Sequence, residues 1–211
     1  MKIGFYKNLC IAGILFLMTS MLNAKPGSYS NIGTGWKNVG GMTSLDGKLY
    51  IMSSEILYES DTQGKYKNIG GGWKNVMGMT SLNGKLYIIS SEILYESDTQ
   101  GKYKNIGGGW KNVMGMTSLG DKLYIISSEI LYETEVNGKY KNIGGGWKNI
   151  GAITSTDDRL YIISSGALYE ADKLGKYKEI GGGWVKMGGG TSLEGKLYII
   201  SSEILYRTDI K

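Results

Sequence analysis

Three residue types return together along this chain in a pattern able to hold a polar ligand. Tryptophans stand at Trp36, Trp73, Trp110, Trp147 and Trp184. Asparagine follows two residues later at Asn38, Asn75, Asn112 and Asn149. A Ser-Ser-Glu triplet recurs, ending at Glu55, Glu92, Glu129 and Glu203. An indole offers an apolar plate to the C–H face of a sugar ring. A carboxylate, a hydroxyl and an amide can bond its hydroxyl groups. The Gly-Gly-Gly run before most of the tryptophans would let a ligand approach backbone N–H groups. These residues form the candidate ligand set. Each also has a structural reading: the tryptophans as wedges between repeats, with the N–H bonded to backbone, the asparagines as turn residues, the glutamates as solvated corners.

Other chemistry is scarce. The chain has no histidine and one cysteine, Cys10. No histidine-assisted serine or cysteine nucleophile can be assembled, and the usual zinc and haem ligands are missing. The acids recur at the same positions from repeat to repeat rather than as one asymmetric pair, which argues against a glycosidase. Asp61, Asp98, Asp172 and Asp209 fall in turns, where single aspartates cap backbone more often than they hold calcium. No enzyme, cofactor or metal is expected.

The elements that must position the candidate set are read from the tryptophan spacing, a constant 37 residues. A period of this length with strand-like content means stacked copies of one small unit. In the third copy, Val113 to Leu119 is short, apolar and β-prone, and Gly120-Asp121 is a turn. Lys122 to Ser127 is a second strand, and Ser128-Glu129 a corner. Ile130 to Glu133 begins a third strand, Glu135 to Gly138 turns, and Lys139 to Ile143 is a fourth. Asp46-Gly47, Asn83-Gly84 and Glu194-Gly195 supply hairpin turns at the first corner of other copies. Four antiparallel strands per unit describe a propeller blade. The expected fold is therefore all-β, a five-bladed β-propeller of four-stranded antiparallel blades. The last copy stops after its third strand, while Ser28-Tyr29-Ser30-Asn31-Ile32-Gly33 matches the missing fourth. The N-terminal strand is expected to complete the last blade and close the ring, removing an open edge. The tryptophan–asparagine loop and the Ser-Ser-Glu corner would then open on one face.

The first 24 residues differ. Lys2 and Lys7 precede an apolar stretch from Leu9 to about Leu22, and Leu22-Asn23-Ala24 is a small-residue cleavage pattern. Residues 1–24 read as a signal peptide and 25–211 as a single propeller domain. A membrane anchor is the alternative, but the apolar run is short for a span. Secreted or periplasmic localisation follows, with membrane contact only through the cleaved signal. Removing Lys2 and Lys7 lowers the formal charge from +5 to +3. The remaining lysines are dispersed, so no nucleic-acid partner is expected.

The stretches GKYKNIGGGWKN and MTSLNGKLYIISSEILYESD resemble the tectonin and tachylectin type of β-propeller repeat across essentially the whole mature chain. The resemblance implies a lectin with sugar-binding pockets near Trp36, Trp73, Trp110, Trp147 and Trp184, selective for N-acetylated hexosamines. The implied partners are glycans on a cell surface or glycoprotein. The repeat here is shorter than in the five-bladed tachylectin, and tectonin propellers commonly have six blades. The other function weighed is a non-catalytic protein-interaction scaffold of the cell envelope, or one secreted to a host. Its epitope would draw on the divergent loops at Thr156-Asp157-Asp158-Arg159 and Val185-Lys186.

Overall fold

The computed structural model describes Ile32, residues 34–193 and residues 195–209. The signal peptide, Cys10 and the expected closing strand at Tyr29 lie outside the described residues.

The chain forms a five-bladed β-propeller. The first blade contains β1 (Val39–Leu45), β2 (Lys48–Ser53), β3 (Ile56–Ser60) and β4 (Tyr66–Gly71), hydrogen-bonded in that order. The second contains β5 (Val76–Leu82), β6 (Lys85–Ser90), β7 (Ile93–Ser97) and β8 (Tyr103–Gly108), and the third β9 (Val113–Leu119), β10 (Lys122–Ser127), β11 (Ile130–Thr134) and β12 (Tyr140–Gly145). The fourth is β13 (Ile150–Thr156), β14 (Arg159–Ser164), β15 (Ala167–Ala171) and β16 (Tyr177–Gly182). Among the described residues the fifth has three strands, β17 (Met187–Leu193), β18 (Lys196–Ser201) and β19 (Ile204–Asp209). The first three strands of the third blade start where the sequence places them, and the fourth is displaced by one residue or two.

Register is set by tight turns. Asp46 and Gly47 both hold positive φ, as do Asn83 and Gly84, which is the two-residue turn whose twist matches antiparallel strands. Each first strand enters through a bulge, as between Val76 and Gly78 opposite Ser90 and Ile89. Bulges sharpen local twist. The first strands are neighbours around the centre, tied by serine hydroxyls: Ser81 Oγ donates to Ser44 O at 2.7 Å, and Ser118 Oγ to Ser81 O at 2.8 Å.

The core lies between blades. Tyr87, Ile89 and Leu94 of the second blade meet Trp110, Met116, Leu123 and Ile125 of the third. Equivalent clusters join the first and second, third and fourth, and fourth and fifth blades. Strands β6, β10 and β14 are apolar on both faces because a blade covers each side. Gly101 marks the closest approach. It holds φ +86°, and a Cβ there would collide with the Ile69 carbonyl of the preceding blade. Gly64 stands in the same relation to Ile32. Ile32 therefore meets the first blade as a fourth strand meets the blade that follows it.

Candidate functional site

Each Ser-Ser-Glu corner is a two-residue hairpin loop. Ser53 pairs with Ile56, leaving Ser54 (φ 48°) and Glu55 (φ 66°) at the tip. Both φ values are positive, the turn type that favours asparagine and glycine. The first serine is buried and latches the tryptophan loop of its own blade. Ser53 Oγ donates to Lys37 O at 2.7 Å and accepts from Lys37 N at 3.1 Å. Ser90, Ser127, Ser164 and Ser201 donate to the matching carbonyls at 2.6–2.8 Å. The glutamate carbonyl reaches the next blade instead. Trp73 N donates to Glu55 O, Trp110 N to Glu92 O, and Trp147 N to Glu129 O, at 3.0–3.1 Å. Asn38, Asn75, Asn112 and Asn149 hold φ near 48°, a left-handed conformation that asparagine tolerates.

Two of these arrangements enclose measurable clefts. Between the first and second blades, Asn38, Ser54, Glu55, Trp73, Asn75 and Val76 line a cavity of about 390 Å³. Between the fourth and fifth, Asn149, Ser165, Gly166, Trp184, Val185 and Lys186 line one of about 660 Å³. The tryptophan–asparagine loop and the Ser-Ser-Glu corner of the preceding blade thus meet. The Glu55, Glu92, Glu129 and Glu203 side chains are exposed. Among the described residues Glu203 has no following blade's tryptophan bonded to its carbonyl.

The tryptophans are not open plates. Trp73, Trp110 and Trp147 are only 3–4 % exposed, and Trp36 and Trp184 are half-buried. Each ring packs on its own blade's outer tyrosines. Trp73 meets Tyr95 edge-on at 5.5 Å and Tyr103 tilted at 4.6 Å; the first, third and fourth blades repeat this geometry, and among the described residues Trp184 meets Tyr206 alone, at 5.5 Å. Three indoles are therefore committed as wedges, and the surface they leave to a ligand is their rim. The Trp147 and Trp184 ring N–H groups are buried with no acceptor among the described residues. In those two blades the backbone bond anticipated for a wedge is made by the main-chain N–H rather than by the ring.

A second polar feature lies on the outer rim and was not singled out in the sequence. In the second blade Lys85, Glu96, Asp98, Lys102, Tyr103 and Lys104 line a cavity of about 240 Å³, and Arg159, Glu170, Asp172, Lys176, Tyr177 and Lys178 line its counterpart in the fourth. Glu96 pairs with Lys104 at 3.1 Å, and Glu170 with Lys178 at 3.3 Å. The hydroxyl of a buried tyrosine on the second strand approaches the same acid, as Tyr124 does Glu133 at 3.5 Å. Burial first, then the neighbouring carboxylate, pushes Tyr87 up to about 12 and raises Tyr50, Tyr124 and Tyr161. Asp61, Asp98 and Asp172 are spent on backbone, whereas Asp209 ends β19 and does not lie in a turn. Asp98 Oδ1 accepts from Gln100 N and Lys102 N at 2.9 Å, and the Lys102 bond foremost lowers its carboxyl from the ordinary value.

No family model matches the chain, and no curated protein matches it in sequence. Solved structures do match in shape. The nidogen/laminin complex superposes with a TM-score of 0.70 at 13 % identity, over 82 % of this chain and 76 % of that one. A gluconolactonase, XC5397 from Xanthomonas campestris, gives 0.71 at 9 % identity, over 84 % and 74 %. The PQQ-bound aldose sugar dehydrogenase of Streptomyces coelicolor gives 0.63 at 13 % identity, over 86 % and 80 %. These propellers include both a partner-binding protein and enzymes. At such identity the likeness establishes the fold alone.

Proposed function

We propose that this protein is an exported, non-catalytic, multivalent binding propeller whose interblade clefts take sugars, N-acetylated hexosamines foremost. The observation that carries the reading is the corner glutamate. Glu55, Glu92, Glu129 and Glu203 occupy a left-handed position at φ 65–68°, where Gly166 serves in the fourth blade at φ 82°. Strain of this kind marks sites where a side chain is wanted for what it touches. The lining of the first cleft combines Glu55 with Asn38, Asn75 and Ser54 and with the apolar Val39 and Val76. Carboxylate and hydroxyl suit sugar hydroxyls. An asparagine and a valine suit the amide and methyl of an acetamido group. The sequence resemblance to tectonin and tachylectin repeats supports the same reading. Single sites would be weak, and several on one rigid ring would raise apparent affinity on a glycan-coated surface by about 10²–10⁴-fold.

The test is titration of N-acetylglucosamine by calorimetry or NMR. The wild type is expected to bind. Replacing Glu55, Glu92 and Glu129 together by Gln should weaken binding about tenfold or more at these clefts, the scale of a hydrogen bond to a charged group. Absence of binding by the wild type, or unchanged affinity in the folded triple variant, overturns the proposal. A protein-binding scaffold is the second reading, favoured by the unrepeated loop residues Asp157, Asp158 and Val185, all exposed.

A further inference from the structure

The repeat departs from itself twice at ligand-facing positions, and both departures fall in one cleft. The corner of the fourth blade reads Ser164-Ser165-Gly166-Ala167, without the acid. The loop of the fifth blade reads Trp184-Val185-Lys186, with lysine where the other copies have asparagine. Blade four supplies the corner and blade five the loop of a single cavity, so the two changes meet there.

Their joint effect is a reversal of charge. The lining of the first cleft holds one carboxylate, Glu55, and no cation. The lining of the last includes Lys186 as its one basic residue, itself exposed, and no acidic residue. Val185 also removes the exposed lysine that follows the tryptophan in the other copies, so the cation has moved from outside the lining into it. Lys186 keeps the φ of 48° that the asparagines hold and makes no ion pair among the described residues. A lysine accepts this backbone less readily than asparagine, so the position is occupied at a conformational cost. Glu179, which replaces the asparagine of the other fourth strands, approaches Gly182 and does not line the cavity. Gly166 opens the space, and its carbonyl still accepts from Trp184 N at 3.0 Å. The cavity, at about 660 Å³, is wider than the first at about 390 Å³. It lies in the range that accommodates small organic ligands.

We infer that this cleft is a distinct site for a sugar acid, with Lys186 holding the carboxylate and the Asn149 amide and Ser165 hydroxyl, 3.5 Å apart, bonding the ring hydroxyls. The inference rests on the reading of the clefts as sugar sites and adds a charge-selective one. One protein would then read neutral and acidic residues of the same glycan from different clefts.

The experiment compares glucuronate, N-acetylglucosamine and acetate in NMR titrations of the wild type and of Lys186→Asn, which restores the residue of the other four copies. Glucuronate should bind the wild type and shift resonances of residues 165–166 and 184–187. It should lose about tenfold or more in the variant, the scale of one charge-assisted hydrogen bond, while N-acetylglucosamine binding at the other clefts stays unchanged. Glucuronate binding that survives the substitution, or acetate binding as tight as glucuronate, overturns the inference. Binding of N-acetylglucosamine without glucuronate overturns it and leaves the broader function standing. Glucuronate binding that depends on Lys186, without N-acetylglucosamine binding, upholds the acidic site and removes the hexosamine reading. Failure of both sugars removes both proposals.

Discussion

Glu92 sits at φ 65° in the corner between β6 and β7, and Gly166 sits at φ 82° in the matching corner of the fourth blade. A left-handed residue with a Cβ costs about 1–2 kcal/mol, whereas glycine gives up about 0.5–1 kcal/mol of chain entropy on folding. Glu92→Gly should therefore stabilise the fold by up to about 1 kcal/mol, read as a midpoint rise of about 2–4 °C per kcal/mol for a chain of this size. The same variant should lose sugar affinity at its cleft. Stability and binding moving in opposite directions distinguish a functional glutamate from a solvated corner, for which only stability would change. The sequence showed the corner and its acid, but not the strain, since that depends on the two-residue pairing of Ser90 with Ile93. It also left open which side of the tryptophan is free. The indole is closed off by Tyr95 and Tyr103, which follow Trp73 by 22 and 30 residues. That fixed aromatic spacing was the signal available, and its meaning appears only when β7 and β8 fold back over the loop.

At the scale of the strand, the buried residues are legible because four blades repeat a Leu-Tyr-Ile-Ile run and the first has Leu-Tyr-Ile-Met, and a run apolar on both faces needs cover on both faces. The tyrosine within it adds something composition does not reveal. Tyr87 is buried on β6 beside Glu96 of β7, which Lys104 of β8 neutralises at 3.1 Å. The network spans three strands, so it couples blade integrity to pH. The folded pKa of Tyr87, about 12, exceeds the unfolded value of roughly 10. The folded state thus keeps a proton that the unfolded chain releases. This contribution is complete below pH about 10 and is lost as pH rises toward about 12. Tyr50, Tyr124 and Tyr161 shift in the same direction, so several blades should weaken together. Urea midpoints measured from neutral to strongly alkaline pH should fall in that window, with tyrosinate absorbance appearing alongside unfolding. Tyr87→Phe should make the fall shallower. A flat profile across the window would contradict the burial of these hydroxyls.

The whole molecule is a repeat whose surfaces were complementary before they met, because the leading face of every blade is built to receive the trailing face of the next. Four such meetings are formed among the described residues. The faces at the two ends of the series differ from their copies. Leu94 is fully buried and Leu205, its counterpart, is 55 % exposed; Met79 is 7 % exposed and Met42 is 60 %. The period of 37 announced the blades and their order. The partial copy at residues 28–33 pointed to closure by the N-terminal strand, a segment of which only Ile32 is described, while the full repeats specify only the contact between neighbours. Ile32 approaches Gly64 as Ile69 approaches Gly101, so the chain before β1 contributes to the trailing side of the seam. The consequence is a difference between two leucines that share the run Ser-Ser-Glu-Ile-Leu-Tyr. Leu94→Ala should cost about 2–5 kcal/mol, the usual penalty for emptying a packed core position. Leu205→Ala should fall within the few tenths of a kcal/mol typical of surface positions. Equal penalties would mean that the seam is packed in solution. Analytical ultracentrifugation would then separate a ring sealed within one chain from one sealed by a second copy, since only the latter doubles the mass.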